Sequence, residues 1–266
     1  MATTTGFAWT PFFRALAAAR ERVLMLDYDG TLAPFRVDRD KARIYPELRP
    51  ILSRLARSSK TRLIIISGRS LADLGRLLDL DPLPELWGSH GWERRTADGI
   101  SGGPPLDAVT RDRLATALAR VRAFAPPECC EVKPAGIALH WRGLAAGQVE
   151  VLRRRVEDAW GPLAEGAELL LQEFDGGLEL RAAGRDKGSA VRDVLEETGA
   201  GAVVAYAGDD RTDEDAFAAI EGRGLSILAR PTYRDTRADV WLRTPEELAR
   251  FLSAWQVTDE QKGGLR

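Results

Sequence analysis

The sequence predicts an α/β protein: a parallel sheet covered by helices on both faces, interrupted by a smaller α+β domain. Three observations carry this. Short, wholly apolar runs alternate with amphipathic stretches toward both ends of the chain, the pattern of strands buried on both faces of a parallel sheet. The middle of the chain instead reads helix, two strands, helix, two strands, an αββαββ order that suits an antiparallel sheet with two helices. The 266 residues, 44% apolar and 29% charged, also form an ordinary globular composition, long enough for one large domain or two modest ones.

The elements follow in order. Val23–Leu26 (VLML) is a buried strand running into DYDG. Pro46 opens a helix with Leu48, Ile51, Leu52 and Leu55 at helical spacing, because proline suits the first helical turn. Arg62–Ser67 (RLIIIS) is a second strand, and Ser70 with Asp73 resembles a capping box ahead of Leu71, Leu74, Leu77 and Leu78. Leu86–Ser89 is a third strand, and Gly102–Pro105 marks a boundary. Beyond it a helix carries Leu114, Ala117, Leu118 and Val121. Strands are expected at Glu131–Lys133 and Ile137–Arg142, then a helix with Val149, Leu152, Val156 and Ala159. Strands at Glu168–Phe174 and Gly177–Arg181 flank Asp175–Gly176, a hairpin signal. After Gly184 the parallel pattern resumes with Ala202–Ala207, a helix near Asp213–Ile220, Leu225–Leu228 and Asp239–Leu242. Residues 1–104 and 184–266 form the expected core, and 105–183 the insert.

Composition excludes several classes. A formal net charge of −2 gives no basic excess for nucleic acid, and no basic tract addresses a membrane surface. The longest apolar run, Ala202–Ala207, falls far short of the ~20 residues that span a bilayer. The N-terminus places its arginines after the apolar stretch, which is not a signal-peptide layout. Cys129 and Cys130 are chain neighbours and do not bridge one another; with only His90 and His140 beside them they build no structural zinc site. No period of 20–50 residues recurs. The expectation is a cytoplasmic monomer.

In open α/β sheets ligands bind beyond the carboxyl ends of the strands, and four polar groups fall there. Asp27-Tyr28-Asp29-Gly30-Thr31 follows the first strand, and Ser67-Gly68-Arg69 follows the second. Lys187, after Asp186, opens the helix with Val191, Val194 and Leu195; Gly208-Asp209-Asp210 follows AVVAYA, with Asp213 close by. Converging carboxylates raise each other's pKa unless a cation joins them, and Mg²⁺ takes one or two carboxylates plus phosphate and water. Ser67 and Lys187 can donate to phosphate oxygens, and Gly30 and Thr31 offer backbone N–H groups. A carboxylate attacking phosphorus gives an aspartyl phosphate, and a second one two residues on can protonate the leaving oxygen and then activate water. Taken singly, each motif has a plain alternative: a surface D-x-D, a turn feeding a helix, a solvated lysine, an acidic first helical turn. Their joint placement at the strand ends and helix starts of one core favours catalysis.

These residues bring the chain to a family. It resembles the haloacid-dehalogenase superfamily of aspartate-based phosphotransferases through DYDGTL, the Ser67 strand end, Lys187 and GDDRTD. Within it the chain resembles the trehalose-6-phosphate phosphatases through DYDGTLAPF, SGRS, GSHGWE (Gly88–Glu93), KPAGIALHWR (Lys133–Arg142), ELR (Glu179–Arg181), DKGSAV (Asp186–Val191) and GDDRTDEDAF (Gly208–Phe217). The resemblance implies a Rossmann-like core and a cap domain that closes over the sugar. It implies that Asp27 is the nucleophile and Asp29 the general acid/base. It places Mg²⁺ on Asp27, Asp29 (through its carbonyl) and Asp209, with Asp210 and Asp213 nearby, and phosphate on Ser67, Gly68, Gly30, Thr31 and Lys187. It suggests Arg69, Gly91, Glu93, Lys133, His140, Arg142 and Glu179 as substrate contacts. The spacing agrees for the cap, because His140 and Arg142 share one face of their expected strand, as do Glu179 and Arg181, while Leu178 and Leu180 face away; cross-strand ion pairs on a solvated face are the alternative. Arg69 could clamp substrate or pair with a core carboxylate, and His90 could simply satisfy a core hydrogen bond. Ala182 departs from the family, which often has proline after ELR. A separate trehalose-6-phosphate synthase would supply the substrate.

The neighbouring possibilities are phosphatases of sucrose 6-phosphate or a glycosylglycerate phosphate, a sugar phosphomutase, and a sensor without catalysis. The intact Asp27, Asp29, Lys187 and Asp209 argue against a sensor. No G-x-x-x-x-G-K-[ST] loop, cysteine-phosphatase signature or G-x-S-x-G elbow is present.

Overall fold

The computed structural model describes residues 7–174 and 176–260. Asp175 of the hairpin signal and residues 1–6 of the N-terminal stretch lie outside them. By contacts the chain divides into two compact units, Met1–Gly102 with Asp186–Arg266, and Gly103–Arg185.

In chain order the first unit contains α1 (Trp9–Ala18), β1 (Arg22–Leu26), α2 (Arg49–Ala56), β2 (Thr61–Ile66), α3 (Leu71–Leu78), β3 (Glu85–Gly88), β4 (Glu93–Arg95) and β5 (Ser101–Gly102). The second contains α4 (Ala108–Arg122), β6 (Cys130–Lys133), β7 (Gly136–His140), α5 (Ala146–Ala164), β8 (Leu169–Phe174) and β9 (Gly177–Ala182). The chain returns to the first unit with α6 (Lys187–Glu197), β10 (Val203–Gly208), α7 (Glu214–Ile220), β11 (Leu225–Ala229), β12 (Val240–Leu242) and α8 (Glu246–Glu260).

The large sheet has the order β12-β11-β10-β1-β2-β3-β4-β5. It is parallel from β12 to β3, and alternate residues of its strands divide between two cores. Leu24, Leu26, Ile65, Ala207 and Ile227 pack with side chains of α1, α2, α3 and α8, whereas Val23, Met25, Ile64, Ile66 and Tyr206 pack with those of α6 and α7. This is why these strands are apolar throughout. The chain runs outward from β1 through β2 and β3, then restarts on the other side at β10, so the order switches between β1 and β10. Ligands of such sheets bind at that point.

Three features differ from the expectation. The sheet is mixed, because β4 and β5 pair antiparallel beyond β3; with the sequence ERR and two exposed residues, they lack the apolar run that marks a buried strand. Helix α2 begins at Arg49 with Pro50 in its first turn, and Pro46 sits in the preceding turn. Both prolines are compatible with a helix start, so the residue type alone does not choose between them. Strand β7 ends at His140, which leaves Arg142 in the following turn.

The second unit is an antiparallel sheet of order β6-β7-β9-β8. Ile137, Leu139, Leu178 and Leu180 form its apolar face, packed with Leu114, Val121, Val156 and Trp160 of α4 and α5. The Trp160 indole N–H is satisfied by the Ala117 carbonyl at 3.2 Å. Ala182 extends β9 by one residue and donates its N–H to the Ala135 carbonyl at 2.8 Å, a bond that proline cannot make. No helix among the described residues is long and apolar enough to cross a membrane.

Candidate active site

The ends of β1 and β10 place two aspartates side by side. Asp27 donates its N–H to the Ala207 carbonyl at 2.8 Å, continuing the ladder one residue past β1; Asp209 follows β10 directly. Beyond Asp27 the chain turns back on itself, with the N–H groups of Leu32 and Ala33 donating to the Tyr28 carbonyl at 2.9 and 3.0 Å. Gly30 sits in this turn at φ +82°, and its N–H donates to the Ala33 carbonyl at 2.7 Å. Here that donor is used inside the turn. What Gly30 contributes is space. A Cβ there would lie 2.1 Å from Asp209 Oδ2. Gly30→Ala is therefore expected to displace the Asp209 carboxylate and, with a side chain held at left-handed φ, to destabilise the fold by about 1–3 kcal/mol; a melting curve checks this, and an unchanged melting temperature would refute it.

Lys187 is the first residue of α6, whose start is fixed by a capping box: Asp186 accepts from the Ser189 N–H at 2.6 Å and the Ser189 hydroxyl from the Asp186 N–H at 2.9 Å. From there Nζ donates to Asp27 Oδ1 and to Asp213 Oδ1, both at 2.7 Å. Asp213 is wholly buried and accepts from four groups: Lys187 Nζ, the Tyr206 hydroxyl at 2.5 Å, and the N–H groups of Asp209 and Asp210 at 3.0 Å each. It thereby ties α6, β10 and the loop after β10 together. Thr31 reaches Asp27 Oδ2 from the other side, at 3.4 Å.

The electrostatics follow from burial. Desolvation pushes the Asp27 carboxyl up to about 7 despite Lys187. Asp209 is raised well above the ordinary carboxylate range by burial and by Asp27. Burial works against the charge on Lys187, but Asp213 and Asp27 outweigh it and keep the ammonium protonated. Three carboxylates thus share one lysine and cannot all ionise unless a further cation joins them. One carboxylate oxygen from each of Asp27, Asp209 and Asp213 lies within 4.8 Å of the others, and Asp209 Oδ1 is buried without a hydrogen-bond partner. Hard oxygen donors in excess of the one ammonium and an orphaned carboxylate oxygen fit a divalent cation. The Asp29 and Asp210 carboxylates are not among the clustered oxygens, in keeping with an expected contact through the Asp29 carbonyl and with Asp210 only nearby. Asp29 is turned toward Arg69 instead.

Arg69 makes a two-pronged bond to that carboxylate, Nε to Oδ2 at 2.6 Å and an Nη to Oδ1 at 2.7 Å, so of the two readings the pairing with a core carboxylate is the one the structure displays. Its loop is braced by the Ser89–Gly91 turn. The Ser89 N–H donates to the Arg69 carbonyl at 2.7 Å, and the His90 N–H to the Ser67 carbonyl at 2.9 Å. Ser89 and His90 both lie at left-handed φ, 49° and 57°. A Cβ on Gly68 would come within 2.7 Å of the His90 ring, and one on Gly91 within 2.9 Å of Ala190 Cβ, so the two glycines serve close packing here. Glu93 accepts from the Ser89 hydroxyl at 2.8 Å and the Leu71 N–H at 3.3 Å.

The insert is charged on the sheet face away from its core. Lys133 meets Glu179 at 2.9 Å and His140 meets Glu131 at 2.8 Å; Arg181 Nε donates to Gln172 Oε1 at 3.0 Å. In register, β7 presents only Gly136 and Ala138 between β6 and β9, so charged side chains of the two flanking strands meet across small residues. Arg142 lies off this strand, its guanidinium over the turn at Gly176, where a Cβ would be 3.0 Å away. Sequence reasoning missed Glu131, whose spacing from Lys133 puts it on the same face, and Tyr206, the one hydroxyl in an apolar strand.

The fold is that of the haloacid-dehalogenase-like hydrolases. A solved structure of that description from B. subtilis superposes with TM-score 0.59 at 13% identity over 87% of this chain and 99% of its own. The C-terminal domain of C. albicans trehalose-6-phosphate phosphatase superposes with TM-score 0.78 at 18% identity, over 98% of each chain. A family model described as trehalose-phosphatase matches residues 25–240, and the chain belongs to that family, as a phosphoric monoester hydrolase. Among its relatives are probable trehalose-phosphate phosphatase 3 of Oryza sativa (30% identity over 93% of this chain and 73% of that protein) and trehalose-phosphate phosphatase of Mycobacterium avium (32%, 88% and 62%).

Proposed function

We propose that this chain hydrolyses trehalose 6-phosphate to trehalose and phosphate with Mg²⁺, the last step of trehalose biosynthesis. The observation that carries the reading is the buried Asp27–Lys187–Asp213 cluster with the orphaned Asp209 carboxylate beside it, in a member of the trehalose-phosphatase family. Asp27 and Asp209 are the residues to hold Mg²⁺, with Asp213 as the positioning residue behind them. When bound, Mg²⁺ neutralises charge on the transferring phosphoryl group.

An Asp27 carboxylate oxygen attacks phosphorus, forming an aspartyl phosphate as the bond to the sugar oxygen breaks. The electron pair leaves on that oxygen and Asp29 supplies its proton. A water that gives its proton to Asp29 then attacks phosphorus and releases phosphate from Asp27. Lys187 and Ser67 stabilise the phosphoryl oxygens throughout. For Asp29 to carry a proton its Arg69 partner must turn away, and an arriving phosphate offers that guanidinium a competing bidentate acceptor. The polar face of the insert (Glu131, Lys133, His140, Glu179 and the neighbouring Arg142) supplies donors and acceptors for a hydroxyl-rich disaccharide. We assign a cytoplasmic monomer acting on a small sugar phosphate.

The test is phosphate release from trehalose 6-phosphate, sucrose 6-phosphate and glucose 6-phosphate, with Mg²⁺ and after chelation. Release confined to trehalose 6-phosphate and lost on chelation is expected. Release from another sugar would overturn the substrate while keeping the core chemistry; no release from any would overturn the function.

A further inference from the structure

We infer that Arg234, assisted by Arg230, is a positioning residue for the cation site: it fixes the peptide backbone that aims the Asp209 carboxylate. The inference rests on the reading that Asp27 and Asp209 hold Mg²⁺. With Oδ1 unpartnered, the direction of the Asp209 carboxylate depends heavily on its main chain. That main chain is held from both sides. Asp213 accepts the N–H groups of Asp209 and Asp210. On the opposite side Arg234 donates from Nε to the Asp209 carbonyl at 3.2 Å and from Nη2 to the Asp210 carbonyl at 2.6 Å. Arg230, directly after β11, donates to the same Asp209 carbonyl at 3.3 Å.

Arg234 is anchored in turn. Its Nη1 pairs with Glu214 Oε1, which also accepts from the Thr236 hydroxyl at 2.8 Å, while Glu214 Oε2 accepts from the Arg237 N–H at 2.9 Å. One planar guanidinium thus spans two successive carbonyls and a carboxylate. A lysine ammonium on a flexible stem cannot reproduce that fork. Arg234 touches neither a reacting atom nor a clustered carboxylate oxygen. Groups that orient metal ligands from behind set affinity for the metal.

The experiment is calorimetric titration of MgCl₂ into the metal-free full chain, for wild type, Arg234→Ala, Arg234→Lys and Glu214→Gln, beside metal-free melting curves. Arg234→Ala and Arg234→Lys are expected to bind Mg²⁺ about 10- to 100-fold more weakly, and Glu214→Gln to show a smaller loss of the same sign. At saturating Mg²⁺ the KM for substrate should be unchanged. A merely structural arginine would lower the metal-free melting temperature and leave Mg²⁺ affinity intact. Wild-type affinity in folded Arg234→Lys overturns the inference alone, and that variant decides if Arg234→Ala does not fold. Absence of Mg²⁺ binding by wild type overturns the metal reading and the inference with it.

Discussion

Asp27→Asn is expected to lower phosphate release by about 10⁴-fold or more while leaving a folded protein. The amide is nearly isosteric and its carbonyl oxygen can still accept from Lys187, which now bonds Oδ1 at 2.7 Å. It is a poor nucleophile toward phosphorus, so no aspartyl phosphate forms and the two-step route closes. The loss should fall on kcat, because Asp27 does not contribute to reading the sugar. Single-turnover mixing with acid quench should trap phosphate on wild-type protein and none on the variant. A variant that keeps even a hundredth of wild-type turnover would exclude Asp27 as the nucleophile and point to direct attack by water.

Lys187→Met should damage both stability and rate. Nζ is the buried cation bonded to both Asp27 and Asp213, and removing one partner of a buried ion network typically costs about 3–5 kcal/mol. At about 2–4 °C per kcal/mol for a chain of this size, the metal-free variant should melt on the order of 10 °C lower. The deficit should depend on pH in a definite direction. Asp27 already titrates at about 7 rather than 3.8, so between those values the folded state holds a proton that the unfolded chain has released. Stability of the metal-free protein therefore falls as pH rises through that window. Without Lys187 the attraction that opposes burial is lost, the carboxyl moves higher, and the deficit grows from pH 5 toward pH 8. Melting curves at those two pH values check this. A deficit larger at pH 5 would mean that Lys187 does not compensate these carboxylates.

Much of the core could be read locally. Strand-ending motifs are legible because a strand buried on both faces is apolar without interruption, so the first polar residue after it marks the sheet edge; Asp27, Ser67 and Asp209 all follow that rule. The Ser70 cap on α3, with the Asp73 N–H donating to its hydroxyl at 3.2 Å, was legible for the same local reason. The strands β4 and β5 were not, because they pair at a solvated edge and carry no apolar signal. Nor was the end of β7, where Arg142 turns away from a face that continued alternation would have given it.

The sequence by itself determined the covered parallel sheet, the αββαββ insert and the set of strand-end residues, because hydrophobic period and turn chemistry are short-range properties. Tertiary structure alone decided how those residues are used. Arg69 lies 40 positions from the Asp29 carboxylate it grips, Lys187 lies 160 from Asp27, and Arg234 lies 24 from the Asp210 carbonyl it holds. Gly30 leaves the space that the Asp209 carboxylate fills. Such pairings depend on which loops a twisted sheet brings together at its switch point, and on which buried charges must neutralise one another once water is excluded. Neither quantity has a period along the chain.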